Sequence, residues 1–192
     1  MADPAPEHAA DRERVAADTS PLTPESFEAL GRALSVEWPD WYRRFMRVMI
    51  EPPLDDTFWL PAGFLFAQPK FIYDDTVRYR QGEYLLRDES SRPIPWPEGY
   101  VAVGGTASGD VVIDTKSEAW EFKRIDRELR TVNPLFDGAD LACTPEDLAR
   151  RFRGWNDRWN LRKQMENRMH WEAEALRHDP GRRYDPRFNS GS

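Results

Sequence analysis

Apolar residues recur along this chain with two different spacings, and the change from one to the other divides it into regions. Phe27, Leu30 and Leu34 fall at i, i+3 and i+7, the stripe of a helix packed on a core. Its start is marked by Leu22-Thr23-Pro24. Thr23 caps the free N–H groups, Pro24 suits the first helical position, and Leu22 stands opposite Phe27 as a hydrophobic staple. Gly31 falls beside that stripe. A second helix is predicted from Pro39, with Trp41, Tyr42, Phe45, Met46 and Met49 on its apolar face and Arg43, Arg44 and Arg47 pointing away. Pro52-Pro53 ends it, because proline neither continues a helix nor favours one before it.

The middle of the chain reads as strand and turn. Phe58–Phe66, Lys70–Tyr73, Thr76–Tyr79 and Tyr84–Leu86 are short aromatic and β-branched pieces. Pro61, Gly63, Pro69, Asp74-Asp75 and Gly82 punctuate them. Asp88–Gly99, with three prolines and Trp96, is expected to be irregular. Tyr100–Val103 and Val111–Asp114 form a predicted hairpin about the turn Gly104–Asp110, and Ala119–Ile125 a third strand with Trp120 and Phe122 on one face. Helical spacing then returns. Thr144-Pro145 repeats the capping pattern of Thr23-Pro24, with Glu146 and Asp147 in the dipole-favoured first turn. Leu148, Phe152, Trp155 and Trp159 share one face, and Asp157–Arg177 carries a thinner stripe of Leu161, Met165 and Met169.

Grouped strands flanked by helices predict an α+β fold, a mixed, mainly antiparallel twisted sheet packed by N-terminal and C-terminal helices. The expected organisation is a disordered leader over 1–21 with a transient helix at Ala9–Ala17, a domain over 22–155, a helical extension over 156–178, and a disordered tail over 179–192.

Composition narrows the function classes. Eight Trp, ten Phe and six Tyr require a buried core. The single cysteine, Cys143, makes no internal disulfide, which points to a reducing compartment. No stretch approaches the ~20 apolar residues of a membrane helix. The acidic start Met1-Ala2-Asp3-Pro4 does not read as a secretory signal, so a cytoplasmic location follows by elimination. The net charge of -7 is uneven: residues 1–155 are acidic, while 156–192 carry six acids against eight bases. An acidic body lacks the basic footprint that phosphates require, so no nucleic-acid partner is expected. It suits a basic protein partner.

Candidate chemistry is sparse, and no catalytic, cofactor-binding or metal-ligating residue is expected. His170 and His178 stand eight apart, whereas helical zinc sites place histidines at i, i+4; His8 lies in the leader. Cys143 directly precedes a helix N-terminus, yet its place as the staple residue opposite Leu148 accounts for it. Gly104-Gly105-Thr106-Ala107-Ser108-Gly109 lacks the Gly-Lys-[Ser/Thr] ending and following helix of a P-loop, and Asp110 would repel phosphate. Asp55-Asp56 and Asp74-Asp75 read as solvated turn acids. Trp96, outside any periodic stripe, is a candidate exposed recognition residue.

The hairpin segment Val101–Asp114 resembles the central motif of the SUKH (Smi/Knr-like) superfamily: a strand, a Gly-rich turn ending in Gly-Asp, and a hydrophobic strand ending in Asp. Trp38-Pro39-Asp40-Trp41-Tyr42-Arg43-Arg44-Phe45 is similar to that family's early Leu-Pro-x-x-Tyr-x-x-Phe helix, with Trp38 in place of Leu. Thr144–Phe152 resembles its closing helix. Glu51-Pro52-Pro53-Leu54 replaces the family's Asn-Gly. The resemblance spans about 23–155. It implies a protein-binding domain without shared catalytic residues, with Gly104, Gly105, Gly109 and Asp110 structural: the glycines for positive φ, Asp110 for capping the turn. Bacterial members are similar to immunity proteins that neutralise toxin domains, often nucleases or deaminases. A regulator or scaffold binding a resident partner is the alternative. A third reading is an enzyme with an unfamiliar site, in which Asp74 or Asp75 would meet His170 in a pocket.

Overall fold

The computed structural model describes residues 9–51, 57–60, 63–88, 90–106, 109–136 and 143–154, and beyond these the helical residues 158, 162, 165, 166, 169 and 170. The chain divides into two units, Met1–Trp155 and Asn156–Ser192. In the second, the Arg162 guanidinium pairs with Glu166 at 2.9 Å, one helical turn on. Trp155, Trp159, Leu161 and the predicted tail lie outside the described residues.

The first unit is α+β. Its helices are α1 (Ala9–Ala17), α2 (Pro24–Leu34), α3 (Asp40–Ile50), α4 (Pro69–Arg80) and α5 (145–154). The strands β1 (Thr57–Leu60), β2 (Gly63–Phe66), β5 (Tyr100–Thr106), β6 (Gly109–Asp114), β7 (Lys123–Asp126) and β8 (Val132–Pro134) make one sheet in the order β1-β2-β5-β6-β7-β8. The two-residue strands β3 (Leu86–Arg87) and β4 (Pro93–Ile94) pair with each other. All of these ladders are antiparallel.

The alternation of side chains along a strand builds two cores. Val101, Val103, Val111 and Ile113 face the helices, together with Phe27, Leu30, Tyr42, Phe45, Leu148 and Phe152. Ala102, Val112 and Ile125 face the other way, under Leu86 and Trp96. Phe45 sits between Phe122 (ring centroids 5.1 Å) and Phe152 (6.0 Å), tying α3 to the sheet side and to α5. The staple and cap at α2 form as the sequence indicates: Ser26 N–H donates to Thr23 Oγ1 at 3.1 Å, and Leu22 and Phe27 are buried.

Three expectations are corrected. The leader reading fails over 9–21, where α1 packs on α2 and α4 with Val15 1% exposed. Lys70 holds it, through Nζ to the Ala16 carbonyl (2.9 Å) and through its own N–H to the Asp18 carbonyl (3.3 Å). Lys70–Tyr73 and Thr76–Tyr79 are not strands but the single helix α4. Pro69 occupies its first turn, and Pro69, Ile72 and Thr76 make its buried stripe. Asp74 and Asp75 are mid-helix, paired with Lys70 and Arg78 at i−4 and i+3. Gly104 and Gly105 extend β5 instead of forming a turn. They pair with Leu65 and Phe64 on one side and with Val111 and Asp110 on the other. Val103 is a bulge residue between paired Ala102 and Gly104, a place where strand glycines are common. Among the described glycines the positive φ belongs to Gly82, at 88°.

Candidate functional site

The corner between α2 and α3 borders a recess on the first unit. Ser35 adopts a left-handed conformation (φ 54°) and its N–H closes the end of α2 on the Arg32 carbonyl. Trp38 then folds back over Gly31, stacks on Phe27 at 4.8 Å, and donates its indole N–H to the Phe27 carbonyl at 3.1 Å. Pro39 starts α3 at once. That turn leaves Glu37 and Asp40 exposed at the corner. Facing them is the loop after β6. Thr115 bonds to the Gly99 carbonyl through both its N–H (2.8 Å) and its hydroxyl (2.9 Å), and Lys116 N–H donates to Asp114, which fixes the loop and presents Glu118.

Between corner and loop lies a cleft of about 430 Å³, floored by Trp38 and Pro39 and rimmed by Glu37, Asp40 and Glu118. A neighbouring cleft of about 330 Å³ shares Glu37 and Thr115 and reaches Glu98 and Lys116, which form an ion pair. The one cation lining the first cleft, Arg43, is committed to Glu28 at 2.6 Å and to the Trp38 carbonyl at 3.2 Å. Arg44, 3.8 Å from Asp40, is held by both oxygens of Glu146 at 2.6 and 2.9 Å, which keeps the Glu146 carboxyl below its usual range. The rim therefore carries a net negative field that its neighbours leave largely uncompensated.

A second cluster of ionisable groups joins α4 to the sheet. The Tyr79 hydroxyl donates to Asp110 at 2.9 Å. Asp110 therefore ties strand β6 to helix α4; residues 107 and 108 of the turn it is expected to cap lie outside the described residues. Burial raises its carboxyl above the usual value, against the opposing influences of Tyr79 and Arg127. Burial and the charge of Asp110 likewise raise Asp75. The Tyr79 hydroxyl is pushed up for the same two reasons. The sequence reading does not reach this group because it places Asp75 in a turn and Tyr79 in the strand that follows. Their i, i+4 spacing on one helix was the signal that could have found it.

Of the remaining candidates, Trp96 changes character. Trp96 is 7% exposed, packed on Tyr79 (4.7 Å), with its indole N–H donated to the Tyr100 carbonyl at 3.0 Å; it is a core residue, not an exposed recognition one. Cys143 packs against the helix-side core before α5, where Asp147 N–H donates to Thr144 Oγ1 at 3.2 Å. His170 is exposed in the second unit; His8, His178, Asp55 and Asp56 lie outside the described residues. Among the described residues no three of His, Cys, Asp and Glu converge as metal ligands, and no helix is long and apolar enough to cross a membrane. Compared with known protein families, curated proteins and solved structures, the chain matches none.

Proposed function

We propose that this chain is a non-enzymatic protein-binding domain of the SUKH type, an immunity protein that binds and neutralises a basic toxin domain. The carboxylate-rimmed cleft of Glu37, Asp40 and Glu118 carries the reading. Its nearest guanidinium is already neutralised by Glu28, so an incoming Lys or Arg meets three carboxylates. The partner is a protein of nuclease or deaminase type, met in the cytoplasm, and not a nucleic acid or a membrane. The acidic first unit would steer such a partner towards the cleft.

The test is co-expression with the C-terminal domain of a large toxin encoded beside this gene, followed by recovery of the complex. Rescue of growth with a stoichiometric complex is expected. The variant Glu37→Lys, Asp40→Lys, Glu118→Lys should weaken the complex about tenfold or more, and added salt should weaken the wild-type complex. Growth arrest with no complex would overturn the immunity reading in favour of a resident regulatory partner.

A further inference from the structure

The outer edge of β8, the last strand of the sheet, has open backbone groups among the described residues. The register with β7 decides which. Asp126 N–H donates to the Thr131 carbonyl (2.9 Å) and Leu135 N–H to the Phe122 carbonyl (2.8 Å), so Thr131, Asn133 and Leu135 turn their backbone groups towards β7. Antiparallel alternation turns Val132 and Pro134 outward, while Arg130, at the left-handed end of the turn before β8 (φ 59°), sends its N–H to the Asp126 carbonyl at 2.8 Å. The Arg130 carbonyl accepts the Arg87 N–H at 3.0 Å, so β3 begins a pairing on this edge. It then leaves to pair with β4, Arg87 lying opposite Pro93. Among the described residues, the N–H and carbonyl of Val132 and the carbonyl of Pro134 meet no backbone partner.

A groove of about 680 Å³ runs along this open stretch, with Arg87, Asp88 and Arg92 on one wall and Val132 and Asn133 on the other. Charge decides what fits. Asp88 is engaged by the Arg92 guanidinium and by the N–H groups of Ser90 and Arg92, which hold its carboxyl below the usual range. Arg87 reaches the Ser91 carbonyl and Arg130 lies 5.2 Å over the Tyr84 ring; neither has a carboxylate at ion-pair distance among the described residues. Arg87 lines the groove and Arg130 is tied to it through the bond of its carbonyl to the Arg87 N–H, so two cations without a carboxylate at ion-pair distance among the described residues lie at this edge of a chain of net charge -7.

We propose that this groove takes an extended acidic segment of another protein, which adds as a strand to the β8 edge and sets its carboxylates against Arg87 and Arg130. Strand addition draws affinity from main-chain bonds and selectivity from alternate side chains. Here the edge is three residues long and ends in a proline, a device that limits indiscriminate pairing, so the arginines must supply much of the binding. A nucleic acid would use the arginines but not the Val132 N–H.

The experiment selects a displayed random-peptide library on the full chain, then measures the enriched peptides by calorimetry and by amide hydrogen exchange. Acidic, extended peptides are expected, with slowed exchange at Val132 and about tenfold or greater weakening in the folded variant Arg87→Glu, Arg130→Glu. The proposal is overturned if no peptide is enriched, if binding ignores the arginine changes, or if Val132 exchange is unaltered. Single-stranded RNA that binds with the same arginine dependence would overturn it in favour of nucleic acid. The cleft variants at Glu37, Asp40 and Glu118 lie on other elements, so failure here and failure of the toxin reading are separate results.

Discussion

Gly31 shows how a packing contact outweighs a local preference. Alanine there would favour an exposed helix by about 1 kcal/mol. In this fold its β-carbon would lie 2.6 Å from Trp38 Nε1. The indole cannot withdraw without losing its stack on Phe27 and its hydrogen bond to the Phe27 carbonyl. Gly31→Ala should therefore destabilise the domain by about 1–3 kcal/mol in urea unfolding; a gain in stability would show that Trp38 is free to move. Gly109 is constrained by backbone instead, since a β-carbon there would overlap the Ile125 carbonyl oxygen. The Asp75–Asp110 pair makes a prediction in pH. Both carboxyls are raised in the folded state, so the fold keeps protons that the unfolded chain has released. Their contribution is full below the ordinary carboxylate pKa, about 4, and is lost as pH rises through the raised folded values. Asp110→Asn still accepts the Tyr79 hydroxyl but escapes the penalty. Its stability relative to wild type should rise between pH 4 and pH 7, measured by denaturant unfolding; an unchanged difference would mean that Asp110 titrates normally.

Two helices carry the lesson at the scale of elements. The sequence places α2, α3 and α5 because each has a cap or a leading proline followed by an apolar stripe. α4 escapes notice because Phe71, Ile72, Tyr73, Thr76, Val77 and Tyr79 are strand formers by composition, and propensity yields to tertiary context. The context is specific: Thr76 Oγ1 accepts the Ala102 N–H at 3.0 Å, where β5 has passed beyond its pairing with β2. α1 is anchored from outside its own sequence, by Lys70 and by Arg32, which pairs with Asp11 at 2.7 Å. Deleting residues 1–19 removes the buried Val15 and these anchors, and should destabilise the domain by about 3 kcal/mol in thermal unfolding. No change would restore the reading of this stretch as a leader.

Across the whole molecule, all of the described buried apolar residues lie between Val15 and Phe152. A chain cut after Trp155 should accordingly unfold cooperatively with a midpoint within a few degrees of the full chain, as followed by circular dichroism; a broad, low-temperature transition would show that 156–192 completes the core. Much was legible beforehand. Cap chemistry, helical periodicity and strand alternation act within a few residues, so the amino-acid order alone determined the fold class, the starts of α2 and α5 and the helix-side core. What lay beyond that reach was decided by contacts between residues far apart in sequence. Trp96 is buried because α4 brings Tyr79 to it, and Asp110 ties β6 to α4 because Tyr79, 31 residues away in sequence, reaches it. The acidic cleft likewise needs Glu37 and Glu118 on facing walls, and the open edge of β8 exists because β3 turns aside to β4. Such juxtapositions depend on how elements pack in three dimensions, and local spacing carries no record of them.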